Sequence, residues 1–169
     1  VWKGNYFIYL DVGSDTMHSF YPIYRYAAAC LRNGGFSQWS FSIGTGAAVY
    51  NYTSVIMDPF AWPVILAGAL LGDQVIAGLL VAMQVVKILL CGGLCKVFLK
   101  QHGIQGMASV AGAYAYGLNG FLMLWGQHYW LGTAAFWIIL FLVLLEDGFA
   151  KRSFRVSLAV VTAWMLLQS

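Results

Sequence analysis

The chain has 169 residues, of which 61% are hydrophobic and only 9% charged, with a mean hydropathy of +0.74. Soluble domains carry about 25% charged residues, so this is the composition of a membrane protein. A net charge of +3 gives no basic surface for a nucleic acid, and the lysines and arginines serve instead as markers of topology.

Residues 1–58 are aromatic and polar, jointed at Gly34-Gly35 and Gly44-Thr45-Gly46, with no apolar run of spanning length. They are expected to form an external, interfacial region with short amphipathic helices. One helix is predicted over residues 15–32, with Asp15 as its N-cap and Pro22 as a local disturbance. His18, Arg25 and Arg32 are seven apart, which puts them on one helical face at about 100° per residue. Phe20, Tyr24, Ala27 and Leu31 fall elsewhere, so the helix would lie at a membrane surface. A basic stripe of this kind serves either head-group attraction or phosphate recognition.

Residues 59–169 read as the transmembrane region. Asp58-Pro59 is a cap followed by a helix-starting proline. The apolar run 60–71 is too short for a bilayer core that takes about 20 residues, and reads as re-entrant or interfacial. Gly72-Asp73-Gln74 breaks it, and spans are predicted over 75–95, 104–125 and 129–145, with a truncated one over 156–169. The expected fold is all-α, a polytopic membrane helical bundle. With no initiator Met and a short final run, the chain is expected to be a fragment of a larger protein, with one span before it and several after.

Orientation follows from the positive-inside rule. The turn with Lys96 and Lys100 and the turn with Lys151, Arg152 and Arg155 are two spans apart, and Gly126-Gln127-His128 between them has no Lys or Arg. The basic turns are therefore expected in the cytoplasm, and residues 1–58, Asp73 and the Trp125 to Trp130 turn outside. A full crossing by 60–71 would flip residues 1–58. Trp125, Tyr129 and Trp130 suit an aromatic belt at the outer interface.

Lys87 lies eight or more residues from either end of its span, and an ionisable group at that depth faces a cavity or a partner, snorkels, or pairs with an acid. Of the outer acids, Asp58 reads as a cap and Asp73 as a solvated turn residue, while Asp15 is either a cap or a catalytic group. Gly68-x-x-x-Gly72 and Gly112-Ala113-Ala115-Gly117-Gly120 favour close helix contact. Gly44-Thr45-Gly46 lacks the Lys-Ser or Lys-Thr of a P-loop, and Asn51-Tyr52-Thr53 is a glycosylation sequon only in a secretory setting. The three cysteines, 30, 91 and 95, contain no C-x-x-C pair, and an odd count argues against a disulfide framework; Cys91 and Cys95 share a helix face and read as packing. His18, His102 and His128 have no zinc-binding spacing, so no metal site is expected from them.

In order along the chain stand Gly13-x-Asp15, Pro22 seven positions later, Trp39-Ser40-Phe41-Ser42-x-Gly44-x-Gly46, Asp58-Pro59-Phe60, Lys87-Ile88 and the run from Ala111 to Phe121. This series, spread over residues 11–148, resembles the bacterial YfhO membrane-protein family. The resemblance implies a GT-C type glycosyltransferase fold in the bacterial plasma membrane. Such an enzyme moves a sugar from a polyprenyl-phosphate carrier to a cell-envelope polymer on the outer face, with inversion. It also implies Asp15 as the catalytic carboxylate and Lys87 as a position lining the cavity.

An inverting transfer needs a base to take the acceptor hydroxyl proton, and a cation to stabilise the leaving phosphate. Asp15 suits the first, and Arg25, Arg32 or Lys87 the second, with His18 on the same stripe. A divalent cation held by Asp15 and Asp11 is left open, since no octahedral oxygen set is visible. The alternative is a transporter or lipid flippase component working through Lys87, Gln84 and the Gly-broken helices near the midplane. A third reading is a membrane scaffold without chemistry.

Overall fold

The structure, a computed structural model, describes residues 15–36, 39–41, 46–48, 55, 57–151 and 156–168. Asp11, Gly13, Ser42, Gly44, the Asn51-Tyr52-Thr53 sequon, Arg152 and Arg155 lie outside the described residues. Helices dominate, and by contacts the chain forms two units, Val1–Met83 and Gln84–Ser169.

The first unit begins with a π-helical turn, Thr16–Phe20, in which the Tyr21 N–H donates to the Thr16 carbonyl five residues back. Pro22 accounts for it, because proline has no N–H and its ring crowds the carbonyl four residues earlier. The chain continues as α1 (Tyr21–Arg32), with Pro22 at its second position. Tyr24, Ala27 and Ala28 form the buried face of α1, which packs on α2 (Ala61–Leu71). The small side of that contact is Gly68, where a Cβ would come within 3.1 Å of the Ala28 Cβ and 2.8 Å of Ile76. The start of α2 is held by buried Asp58, whose Oδ1 accepts from the Phe60 N–H at 2.9 Å and whose carbonyl accepts from Ala61. Gly72, at φ +96°, ends α2 in a conformation that other residues rarely adopt, and a 3-10 turn, Asp73–Val75, leads into α3 (Ile76–Gln101). Between α1 and α2, β1 (Trp39–Ser40) pairs antiparallel with β2 (Ala47–Ala48), Trp39 opposite Ala48. Gly46, at φ +118°, lies so close under the Trp39 indole that a Cβ there would sit 2.5 Å from Nε1.

The second unit holds the greater part of α3, then α4 (Gly106–Gly117), α5 (Gly120–Leu124), α6 (Tyr129–Ala150) and α7 (Val156–Gln168). The stretch 104–125, expected as one span, is two helices. Asn119 divides them: its Nδ2 donates to the Tyr116 carbonyl at 2.6 Å and its Oδ1 accepts from Leu122 N at 2.9 Å, so one side chain closes α4 and caps α5. The longer helices are tied by polar side chains that reach backbone carbonyls. Tyr116 donates to Ala135 at 2.9 Å and Gln101 to Val143 at 3.2 Å. Helix α6 also packs on α7, with the Trp137 and Trp164 rings 6.2 Å apart.

Among the described residues, two helical stretches, Asp73–Gln101 and Tyr129–Ala150, are long and apolar enough to cross a membrane. Val85, Val86 and Leu89 on α3 and Ile138 and Phe149 on α6 are exposed. A bilayer would cover such side chains without the cost that water exacts.

Candidate functional site

Helix α1 carries the basic stripe, and the structure gives it a counter-charge. Arg25 reaches Asp73 Oδ2 through Nε and Nη2, both at 2.8 Å, and Arg32 Nη2 reaches Asp73 Oδ1 at 2.6 Å. One carboxylate thus bridges arginines two turns apart. Asp73 is therefore more than a solvated turn residue. The Asp73 carboxylate raises the Arg25 guanidinium above its ordinary value, first by the hydrogen bond and then by direct charge attraction. The arginine side chains remain 51% and 40% exposed, so the bridge leaves both accessible to solvent. The Arg25 guanidinium also lies over the Tyr21 ring, 5.7 Å from its centroid.

Exposed pairs of this kind contribute about 0–1 kcal/mol each. Replacing Asp73 by Asn should lower the stability of the α1–α2 unit by about 1 kcal/mol at low salt and by less at about 1 M salt. Thermal melting of the solubilised protein at the two salt concentrations measures this, and an equal loss in both would show that the bridge acts through something other than charge.

Beside the bridge is an open cavity of about 590 Å³ lined by His18, Ser19, Pro22, Arg25, Tyr26 and Asp73, among others. The cavity brings together His18 and Arg25, and Arg32 joins them through Asp73. Asp15 is half-buried, three residues before His18, at the entrance to the π turn, and is not among the lining residues. Its side chain makes no capping hydrogen bond to the π turn. The neighbouring Thr16 hydroxyl is buried and, among the described residues, has no hydrogen-bond partner. A π turn with an orphaned hydroxyl is a local distortion of the sort that collects at functional sites.

Lys87 belongs to the second unit. It is fully buried, and its Nζ donates to the Tyr129 carbonyl at 3.0 Å. The ammonium thus ends inside the protein on the first residue of α6, with no reach to the surface. One turn earlier on α3, Gln84 is buried, and neither atom of its amide has a hydrogen-bond partner among the described residues. Gly132 on α6 makes room for both: a Cβ there would stand 3.1 Å from Gln84 Oε1 and 3.3 Å from Lys87 Cδ. Among the described residues no three His, Cys, Asp or Glu side chains gather into a metal-binding group. Of the two acids considered for a divalent cation, Asp15 is described and Asp11 is not.

The Asp73 bridge was not anticipated from the sequence. A signal was present: two arginines on one face seek an acid, and Asp73 is the charged residue at the break between two apolar helices. Comparison of the chain with family models, curated proteins and solved structures gives no match.

Proposed function

We propose that this protein is a membrane glycosyltransferase of the GT-C type, related to the YfhO family, that transfers a sugar from a polyprenyl phosphate to a cell-envelope acceptor on the outer face of a bacterial membrane. The observation that carries the reading is the run of functional groups along one helical segment. Asp15 comes first, His18 and Arg25 follow on the wall of one cavity, and Arg32 shares the same counter-ion. Asp15 takes the proton of the acceptor hydroxyl as the new bond forms to the anomeric carbon. The bond from that carbon to the phosphate oxygen breaks on the opposite face, giving inversion, and the leaving polyprenyl phosphate takes the bonding pair. In this reading Arg25, whose guanidinium remains partly exposed beside Asp73, meets the developing phosphate charge. In vitro transfer from a synthetic polyprenyl-phosphate sugar by the full-length protein tests the reading, and no turnover from any such donor would remove it.

A second reading is favoured by the Gln84 amide, unpartnered among the described residues, beside buried Lys87 in a helix of membrane-spanning length. A transporter or flippase component would use this polar pair near the midplane. Replacing Lys87 by Met should then abolish lipid or solute flux in reconstituted vesicles, while Asp15→Asn leaves it unchanged. Under the transferase reading, flux assays with either variant match the wild type.

A further inference from the structure

Helices α3 and α4 run antiparallel at a close crossing. A Cβ at Gly117 would lie 3.0 Å from the Ile88 carbonyl, and one at Gly92 would lie 3.1 Å from the Ala113 carbonyl. Beside the crossing is a groove of about 400 Å³ with almost wholly apolar walls, among them Ile88, Leu89, Val110 and Leu118. Gly93 forms part of its floor, and a Cβ there would meet nothing within 4 Å. The groove ends at Lys96, five residues before the end of α3, and Lys100 stands one turn further on the same face. Among the described residues neither lysine is paired with a carboxylate, whereas Lys151 and His102 each face an acid.

We propose that this groove holds one acyl chain of an anionic glycerophospholipid whose phosphate is bound by Lys96 and Lys100. The length from Leu89 to Lys96 is about 10 Å at 1.5 Å per residue. That is roughly two-thirds of one leaflet of a hydrocarbon core about 30 Å thick. The chain therefore lies alongside the helix pair while the head group stays at the interface. Two cations at the interfacial end of an apolar slot complement a lipid with a net negative head, and a zwitterionic lipid would bring its own cation against them. The small residues of the crossing leave the slot open, since Gly93 supplies no side chain to fill it. The proposal requires a bilayer but no sugar-transfer chemistry, so it stands or falls apart from the transferase reading.

The test uses the full-length protein reconstituted in bilayers of equal phosphatidylglycerol and phosphatidylcholine, with the lipids retained on gentle solubilisation counted by native mass spectrometry. The wild type should retain phosphatidylglycerol over phosphatidylcholine by roughly tenfold, from about a fivefold preference per lysine attenuated by screening. The double variant Lys96→Gln, Lys100→Gln should lose that preference, and Lys96→Arg should keep it. Gly93→Leu should cut bound lipid of both kinds at least threefold with an unchanged melting temperature, because its side chain enters open space. Equal retention of the two lipids by the wild type would overturn the proposal. So would a melting loss in Gly93→Leu, which would mean that another protein segment fills the groove. Displacement of phosphatidylglycerol by an equimolar polyprenyl phosphate would likewise overturn it, by assigning the slot to a different lipid.

Discussion

Asp15→Asn should reduce sugar transfer by about 10³-fold, within the range that a positioned general base contributes, and should leave binding of the polyprenyl-phosphate donor within about twofold. The amide keeps the shape of the carboxylate but cannot accept the acceptor proton. The side chain makes no capping hydrogen bond to the helix, and a melting curve of the variant shows whether the fold is kept. Turnover and equilibrium donor binding, measured on the same full-length preparation, separate chemistry from recognition. Turnover within tenfold of wild type would dismiss Asp15 as the base. Arg25→Gln should behave differently, because Arg25 shares Asp73 with Arg32 and lies on the cavity wall beside His18. Its loss should weaken donor binding as well as turnover, while Arg32 keeps its bond to Asp73.

Gly117→Leu should be the most destabilising of the glycine substitutions in the second unit. The new Cβ would face the Ile88 carbonyl at 3.0 Å and the Gly92 backbone at 3.4 Å, and backbone cannot rotate aside as a side chain can. Helices α3 and α4 must separate, loosening the contact of the Cys95 thiol with the Gly112 carbonyl at 3.6 Å. Overpacking of this sort costs about 1–3 kcal/mol, and close-packed small residues supply much of the attraction between helices in lipid. Thermal melting of the solubilised protein should show the loss, with Gly117→Ala between it and the wild type. Melting of Gly117→Leu at the wild-type temperature would mean that the crossing is not the tight contact described.

Much of the helical layout was legible because long apolar runs can be read without tertiary knowledge. The helices Ala61–Leu71, Ile76–Gln101, Tyr129–Ala150 and Val156–Gln168 fall on the predicted apolar stretches, with ends that coincide or are displaced by up to six residues. What was not legible depends on single polar side chains. The apolar run 104–125 conceals the break at Asn119, because hydropathy does not register an amide that bonds its own backbone on both sides. Pro22 announced a disturbance in the first helix, but its form as a π turn depends on how the preceding residues adjust. In the candidate site, the seven-residue spacing placed His18, Arg25 and Arg32 on one helical face, and the structure sets His18 and Arg25 on one cavity wall and Arg25 and Arg32 on one carboxylate. Their carboxylate is 48 and 41 residues away, a separation at which sequence pattern says nothing about contact. The depth of Lys87 in its helix left a cavity, a partner, snorkelling or an ion pair all open, and its full burial and its bond to a main-chain carbonyl 42 residues on carry no residue-type signature.

The turn Thr16–Phe20 holds one residue more than an α-helical path would need. Each residue advances the direction of a side chain by about 100°, so that surplus sets the compass bearing of Asp15 against the downstream arginines. Gain or loss of a single amino acid there would swing the carboxylate around the axis while everything from Tyr21 onward kept its place, giving descendants of this chain a cheap way to re-aim the acid without rebuilding the scaffold.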